Sequence, residues 1–200
     1  MQYREIGPGV FVYSNVIPDF EKIGKDIKNV LDSPDFEWAE PRIIRDGVDV
    51  VDYEVRDLQT TSIDYEESKN IPTEIKTKQE AVKLRLGNII YKYCTPVEED
   101  YKKIFGVDTV RHDVYSILKY GEGHFFNNHL DDCQEYPRTI STVYYLTDDY
   151  DGGEIEFPRF NISYKPKANE MIVFPSAYVY NHNVNKVYNG IRYAIVSWLD

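Results

Sequence analysis

The chain has 200 residues, 42% of them hydrophobic, and a formal net charge of −11. That length is ample for one packed domain, and so acidic a chain disfavours a nucleic-acid substrate, because phosphate contacts need a basic face. No apolar run reaches the roughly eighteen residues of a membrane helix and the opening MQYREIGPGV lacks a signal-peptide core, so the expectation is a cytoplasmic protein without membrane contact, its two cysteines reduced.

In chain order, Gly9 to Tyr13 reads as a strand, followed by Pro18 and by Asp19 as an N-cap. Apolar residues at Phe20, Ile23, Ile27, Val30 and Leu31 have helical spacing, and that helix should stop near Ser33-Pro34. A second helix is predicted from Pro72 to Cys94, with Val82, Leu86, Ile89, Ile90 and Tyr93 as its buried stripe, and a short third from Pro96 to Phe105. Between the first two helices, residues 41–71 are polar without a sustained period. They read as a strand or two plus a mobile loop, of a length suited to a lid. From Thr109 the character changes. Strand-like runs at 109–120, 138–147, 153–157, 170–174 and 190–199 are punctuated by Gly, Asn, Asp and Pro. The fold class expected is α+β: an antiparallel β-sandwich or barrel over 108–200, with the helices of a 1–107 support region covering one outer face, all in a single domain 1–200.

The four histidines are His112, His124, His129 and His182. In His129-Leu130-Asp131 the first and third side chains of an extended segment point to one face, so an imidazole and a carboxylate can grip one ion. His182 offers a third ligand, and two histidines with one carboxylate leave coordination positions open, the arrangement of non-haem iron(II) oxygenases. A His-x-Asp alone is weak, because a polar loop histidine explains it better. Ten residues after His182, Arg192 opens an apolar strand, where a guanidinium is suited to hold a carboxylate bidentately; an exposed strand arginine is the alternative. Cys133, near Asp131, has no second cysteine at zinc spacing and reads as a small semi-buried residue.

Five ordered blocks turn this pattern into a resemblance. Tyr120-Gly121-Glu122-Gly123-His124-Phe125-Phe126-Asn127-Asn128-His129-Leu130-Asp131, Arg138 to Leu146, Gly152-Gly153-Glu154-Ile155-Glu156-Phe157-Pro158, Lys165 to Pro175 and His182 to Trp198 resemble the prolyl 4-hydroxylase-like branch of the 2-oxoglutarate/Fe(II)-dependent dioxygenases over roughly residues 110–199. The resemblance implies a double-stranded β-helix (jelly roll), with iron on His129, Asp131 and His182. It implies that Arg192, with Tyr145 and Tyr120, binds 2-oxoglutarate, that O2 is the other co-substrate, and that ascorbate is an optional stimulant. The implied reaction hydroxylates a C–H bond, with a proline-containing peptide favoured as substrate and a free amino acid or other small metabolite as the alternative; succinate and CO2 are co-products. Asp131 argues against the halogenating variants, which lack the carboxylate.

Phe126 stands where relatives often carry Tyr, and Asn169 where Gly is usual, so that turn calls for an unusual backbone. Trp198 is expected in the core and His124 as a turn cap. Two other readings stay open: a non-catalytic jelly-roll binding or structural module, and a cupin-like iron enzyme that needs no Arg192.

Overall fold

The computed structural model describes residues 2–69, 77–109, 114–135 and 137–200. Its strands are β1 Tyr3–Gly7, β2 Val10–Ser14, β3 Ile43–Arg45, β4 Val48–Val50, β5 Arg56–Asp57, β6 Gln59–Ile63, β7 Tyr115–Tyr120 and β8 Phe125–His129. They continue with β9 Ile140–Tyr145, β10 Asp151–Gly152, β11 Ile155–Phe157, β12 Ile162–Tyr164, β13 Glu170–Pro175, β14 His182–Val184, β15 Val187–Asn189 and β16 Arg192–Leu199. The helices are α1 Phe20–Leu31, α2 Tyr65–Lys69 and α3 Lys78–Phe105.

Two antiparallel sheets face each other. The larger runs β1-β2-β13-β9-β16-β7-β6 and the smaller β12-β11-β14-β8-β5. This is the jelly-roll arrangement expected from the sequence. The central strands are apolar at nearly every position because both faces of the large sheet are covered. Val10, Val12, Val143, Tyr145, Ile172, Phe174, Ala194 and Val196 point inward to meet Ile155, Phe157 and Val184 of the smaller sheet. Their neighbours Phe11, Tyr13, Tyr144, Met171, Val173, Tyr193 and Ile195 point outward, onto Ile27 and Leu31 of α1 and Leu86, Ile90, Cys94, Val97 and Tyr101 of α3.

Two local expectations are corrected. The two helices expected from Pro72 to Cys94 and from Pro96 to Phe105 are one, α3, with Pro96 inside it; Pro72 itself lies outside the described residues. An internal proline costs ~3 kcal/mol or more, but buried apolar side chains at about 1.5–3 kcal/mol each hold both halves of α3 on the same sheet. The helix starts instead at a capping box: Glu80 N–H donates to Thr77 Oγ1 (3.1 Å) and Thr77 N–H to Glu80 Oε2 (3.3 Å). Asp19 does not cap α1, because its left-handed backbone (φ 52°) carries the carboxylate away from the first-turn amides. The helical support region expected over 1–107 also completes the sheets, with β1, β2 and β6 extending the large one and β5 the small one. Residues 110–113 of the run expected as strand over 109–120, and with them His112, fall outside the described residues.

Asn169 shows why an asparagine can stand at a glycine position. Its φ is +65°, a conformation that Asn tolerates better than most residues. Its side chain also joins two parts of the chain. Oδ1 accepts from Ile17 N–H (2.8 Å) and from the Tyr144 hydroxyl (3.0 Å), while Nδ2 donates to the Ile17 carbonyl (3.0 Å). Asn169→Ala is expected to destabilise the protein by about 2–4 kcal/mol, through a strained backbone and unpaired buried groups. Asn169→Gly, which relieves only the backbone, should cost less; urea unfolding of the three proteins checks the order.

Candidate functional site

The site forms where the inner faces of the two sheets meet. His129 ends β8 and His182 opens β14, and the two are directly paired across the small sheet. Asp131 lies just past β8. The ligand atoms of His129, Asp131 and His182 all fall within 4.8 Å of one another. His129 Nε2 is 3.7 Å from Asp131 Oδ1, and His182 Nε2 is 3.8 Å from Oδ2. Each imidazole has its other nitrogen engaged, Nδ1 of His129 at 2.8 Å from the Asn127 carbonyl and Nδ1 of His182 at 3.1 Å from the Tyr180 carbonyl. A carbonyl can only accept, so each Nδ1 carries the proton and each Nε2 lone pair faces the carboxylate.

The electrostatics suit cation binding. Burial, followed by the neighbouring His182, pushes His129 down to about 3, so its ring is a neutral ligand at ordinary pH. Burial works to raise Asp131, but His182, His129 and hydrogen bonds from Ser141 and Trp198 outweigh it, and the carboxyl stays below its usual range. Phe126, across the strand pair from Arg56, stacks on His129 with ring centroids 3.5 Å apart.

Arg192, Tyr120 and Tyr145 come from three adjacent strands of the large sheet. Arg192 is paired with Tyr120, and Ala194 with Tyr145, so strand alternation turns all three inward. The guanidinium lies 4.6 Å from the Tyr120 ring centroid and 5.0 Å from that of Tyr145. Arg192 is 1% exposed. Its Nε and Nη1, and the hydroxyls of Tyr145 and Tyr150, make no hydrogen bond of ordinary geometry. Burial disfavours the charge, yet the fields of Tyr145, Tyr120 and Tyr150 outweigh it and leave the guanidinium more firmly protonated than usual. The Gly152-Gly153 turn makes the room: a Cβ on Gly153, whose φ is +66°, would sit 3.1 Å from Arg192 Cδ and 2.9 Å from the Tyr150 ring.

These groups share one cleft of about 630 Å³, lined by His129, Asp131, His182, Arg192 and Tyr120 among others. Tyr145 lies behind this lining, against Arg192. His124 caps its turn as expected, its Nδ1 accepting from Gly121 N–H (3.1 Å). Cys133 is half-buried, with its sulfur unbridged. Trp198 packs against the inner core as expected, and it also lines the cleft and hydrogen bonds to Asp131.

Two cleft arginines escape sequence reasoning. Arg138 stacks on Trp198 (3.8 Å to the ring centroid) and donates to the Asp131 carbonyl (3.0 Å). Its signal, an arginine opening an apolar strand, is the one that marks Arg192. Arg56 comes from the featureless 41–71 stretch and has no sequence signal. That stretch holds β3 to β6 and α2, and Arg42, Ile43, Ile44 and Asp49 of the β3–β4 hairpin line the cleft.

Residues 115–200 match the family model described as the 2OG-Fe(II) oxygenase superfamily. A PKHD-type hydroxylase from Synechococcus sp. (strain JA-2-3B'a(2-13)) is 38% identical over 98 residues, covering 43% of either chain. A PKHD-type hydroxylase of Prochlorococcus marinus (strain MIT 9515) is 43% identical over 54 residues, 26% of this chain and 24% of that one. The chain thus spans less than half the length of these curated relatives. Among solved structures, a prolyl hydroxylase from Trichoplax adhaerens in complex with a hypoxia inducible factor oxygen degradation domain peptide superposes with a TM-score of 0.70 at 16% identity, over 96% of this chain and 83% of that one. The viral collagen prolyl hydroxylase of Paramecium Bursaria Chlorella virus-1, in its 2OG complex, gives 0.63 at 17% identity over 96% of each chain. The fold is that of the prolyl hydroxylases. The family match is confined to residues 115–200, and the groups that the family's description names are Fe(II) and 2-oxoglutarate.

The donor set fits those groups. Two imidazoles with their Nε2 atoms turned to one carboxylate match an iron(II) site. A buried guanidinium with unused N–H groups beside an unused phenol matches the far carboxylate of 2-oxoglutarate. One pH dependence follows for metal-free protein. The folded pKa of His129 lies below the unfolded value of roughly 6.5, so the unfolded chain takes up its proton first. Stability should therefore fall as pH drops from about 6.5 towards 4, by up to ~1.4 kcal/mol per pH unit. Urea titrations at each pH should show this slope, and its loss in His129→Gln.

Proposed function

We propose that this chain is an Fe(II)/2-oxoglutarate-dependent dioxygenase that hydroxylates a C–H bond of a peptidyl proline. The observation that carries the reading is the sharing of one cleft by the His129–Asp131–His182 cluster and a buried Arg192 with unused donors. In this reading the imidazole Nε2 atoms and the Asp131 carboxylate hold iron, and Arg192, assisted by Tyr145 and Tyr120, holds the distal carboxylate of 2-oxoglutarate. Bound together with O2, iron(II) and 2-oxoglutarate supply an oxidative decarboxylation, to succinate and CO2, that places one oxygen atom in the substrate C–H bond.

The chain's own residues orient and exclude. The Asn127 and Tyr180 carbonyls fix the imidazole tautomers, and Ser141 and Trp198 hold the Asp131 carboxylate. Arg138 anchors the Asp131 main chain. Leu118, Val143 and Val196 form an apolar floor that keeps bulk water from the reacting atoms. Ile43, Ile44, Leu130 and Trp198 give the cleft apolar walls suited to an extended proline-containing segment. The lid inferred for 41–71 narrows to the β3–β4 hairpin, which closes over bound substrate.

Succinate formation from 2-oxoglutarate under air, with iron(II) and proline-rich peptides, tests the reading. His129→Ala should abolish it together with iron binding. Arg192→Met should raise the 2-oxoglutarate KM by about 10- to 100-fold, the value of a charge-assisted pair, and Arg192→Lys by less. A protein that binds neither iron nor 2-oxoglutarate would be an inert jelly roll, and one indifferent to Arg192→Ala would be a cupin-like enzyme. Limited proteolysis should show cleavage at residues 43–50 suppressed only when iron, 2-oxoglutarate and peptide are all present.

A further inference from the structure

Arg56 sits in the same cleft and has no part in the chemistry assigned above. It lies on β5, directly opposite Phe126 of β8, and its guanidinium stacks over the Phe126 ring at 4.8 Å from the centroid. Phe126 in turn stacks on His129 at 3.5 Å. The three groups form a column from cation to metal ligand, which brings Arg56 within one ring of the reacting centre.

This cation is unusually bare. Its Nη1 donates to the Arg42 carbonyl (2.7 Å), while Nε is buried with no acceptor. No carboxylate among the described residues pairs with it. The nearby acids are engaged elsewhere: Asp52 with Arg45, Asp49 with Arg42, and Asp57 beside His124. Burial opposes the charge on Arg56, and the one carboxylate whose field supports it is Asp131, already committed to the two histidines. Arg138, also in the cleft, adds a second positive charge that acts on Arg56.

A half-buried guanidinium whose Nε is shielded from water carries a desolvation cost that an anion or further acceptor would relieve. Here the missing acceptor has to come through the cleft. Arg56 and Arg192 enter the cleft from opposite sheets, Arg192 on β16 and Arg56 on β5. We infer that Arg56 is a recognition site for a carboxylate of the prime substrate, separate from the 2-oxoglutarate site. This rests on the reading above in taking the cleft as the prime substrate's seat. Two sources could supply that carboxylate: an acidic side chain adjoining the target residue in a peptide, or the α-carboxylate of a free or chain-terminal residue.

The test is a calorimetric titration of anaerobic enzyme that holds iron(II), with 2-oxoglutarate saturating Arg192. Ligands come in acid and amide pairs: a capped proline peptide with Asp or Asn beside the proline, and N-acetylproline or its carboxamide. The acid of at least one pair is expected to bind ten- to a hundredfold tighter than its amide, and the pair that shows this identifies the source. Arg56→Met should erase the preference, and Arg56→Lys, which keeps the charge but loses the planar fork, should retain part of it. If acids bind no tighter than amides in both pairs, or the preference survives Arg56→Met, the assignment falls. The wild-type pairs give that answer even where a variant fails to fold. Succinate is assayed separately under air: its absence, with the acid preference intact, would sink the dioxygenase reading and leave the Arg56 site standing.

Discussion

A sheet covered on both faces has to send every second side chain to a different compartment, and the rest of this molecule follows from that alternation. Along β16, Tyr193 and Ile195 face the helices, while Arg192, Ala194 and Val196 face the cleft. The helical layer is therefore more than a lid on apolar surface. By burying the outer set it fixes the register of β16 against β7 and β9, and a slip of one residue would turn Arg192 into the helical core. The burial that stabilises the fold is the same burial that aims the site.

The two sheets divide the work. The small sheet brings two imidazoles side by side through one register pair, His129 with His182, with Asp131 just past the strand end. The large sheet supplies an apolar floor with one cation at its edge, Arg192, surrounded by tyrosines rather than by acids. Phenols favour the guanidinium without neutralising it, so its charge stays available to a ligand. An Asp or Glu in their place would satisfy Arg192 internally and close the site to an anion. Arg56 repeats this logic on the opposite wall, with an aromatic face below and an unused donor above. A chain with a net charge of −11 thus keeps local cationic positions inside one cleft.

Much of this was legible in the residues because the signals were local or dense. Strand runs from Thr109 onward, the His129-x-Asp131 pair and the position of Arg192 depend on spacing along one strand, which sequence displays directly. Asn169 was legible as a departure, and its positive φ is the backbone that the departure required. The misses share a different cause. Pro96 reads locally as a stop, yet α3 continues because its two halves pack on one sheet. Trp198 reads as a core residue and packs on the inner core, but its second role, the indole on Asp131, comes only from the fold. The 41–71 stretch yields no more than a strand or two plus loop, without positions, because edge strands such as β5 and β6 take their hydrogen bonds from β8 and β7, far along the chain.

By itself, the sequence determined the class of fold, the three metal-ligand candidates and the inward Arg192, because strand periodicity and ligand chemistry are written in residue type and spacing. Only the tertiary structure decided which nitrogen of each histidine faces Asp131, since the carbonyls that set the tautomers are placed by backbone geometry. It alone decided that Tyr120, Tyr145 and Tyr150, out of eighteen tyrosines, gather around one guanidinium. It alone brought Arg56 to within one ring of His129, because a residue in an unpatterned segment acquires its neighbours from strand pairing over a separation of seventy residues, from Arg56 to Phe126.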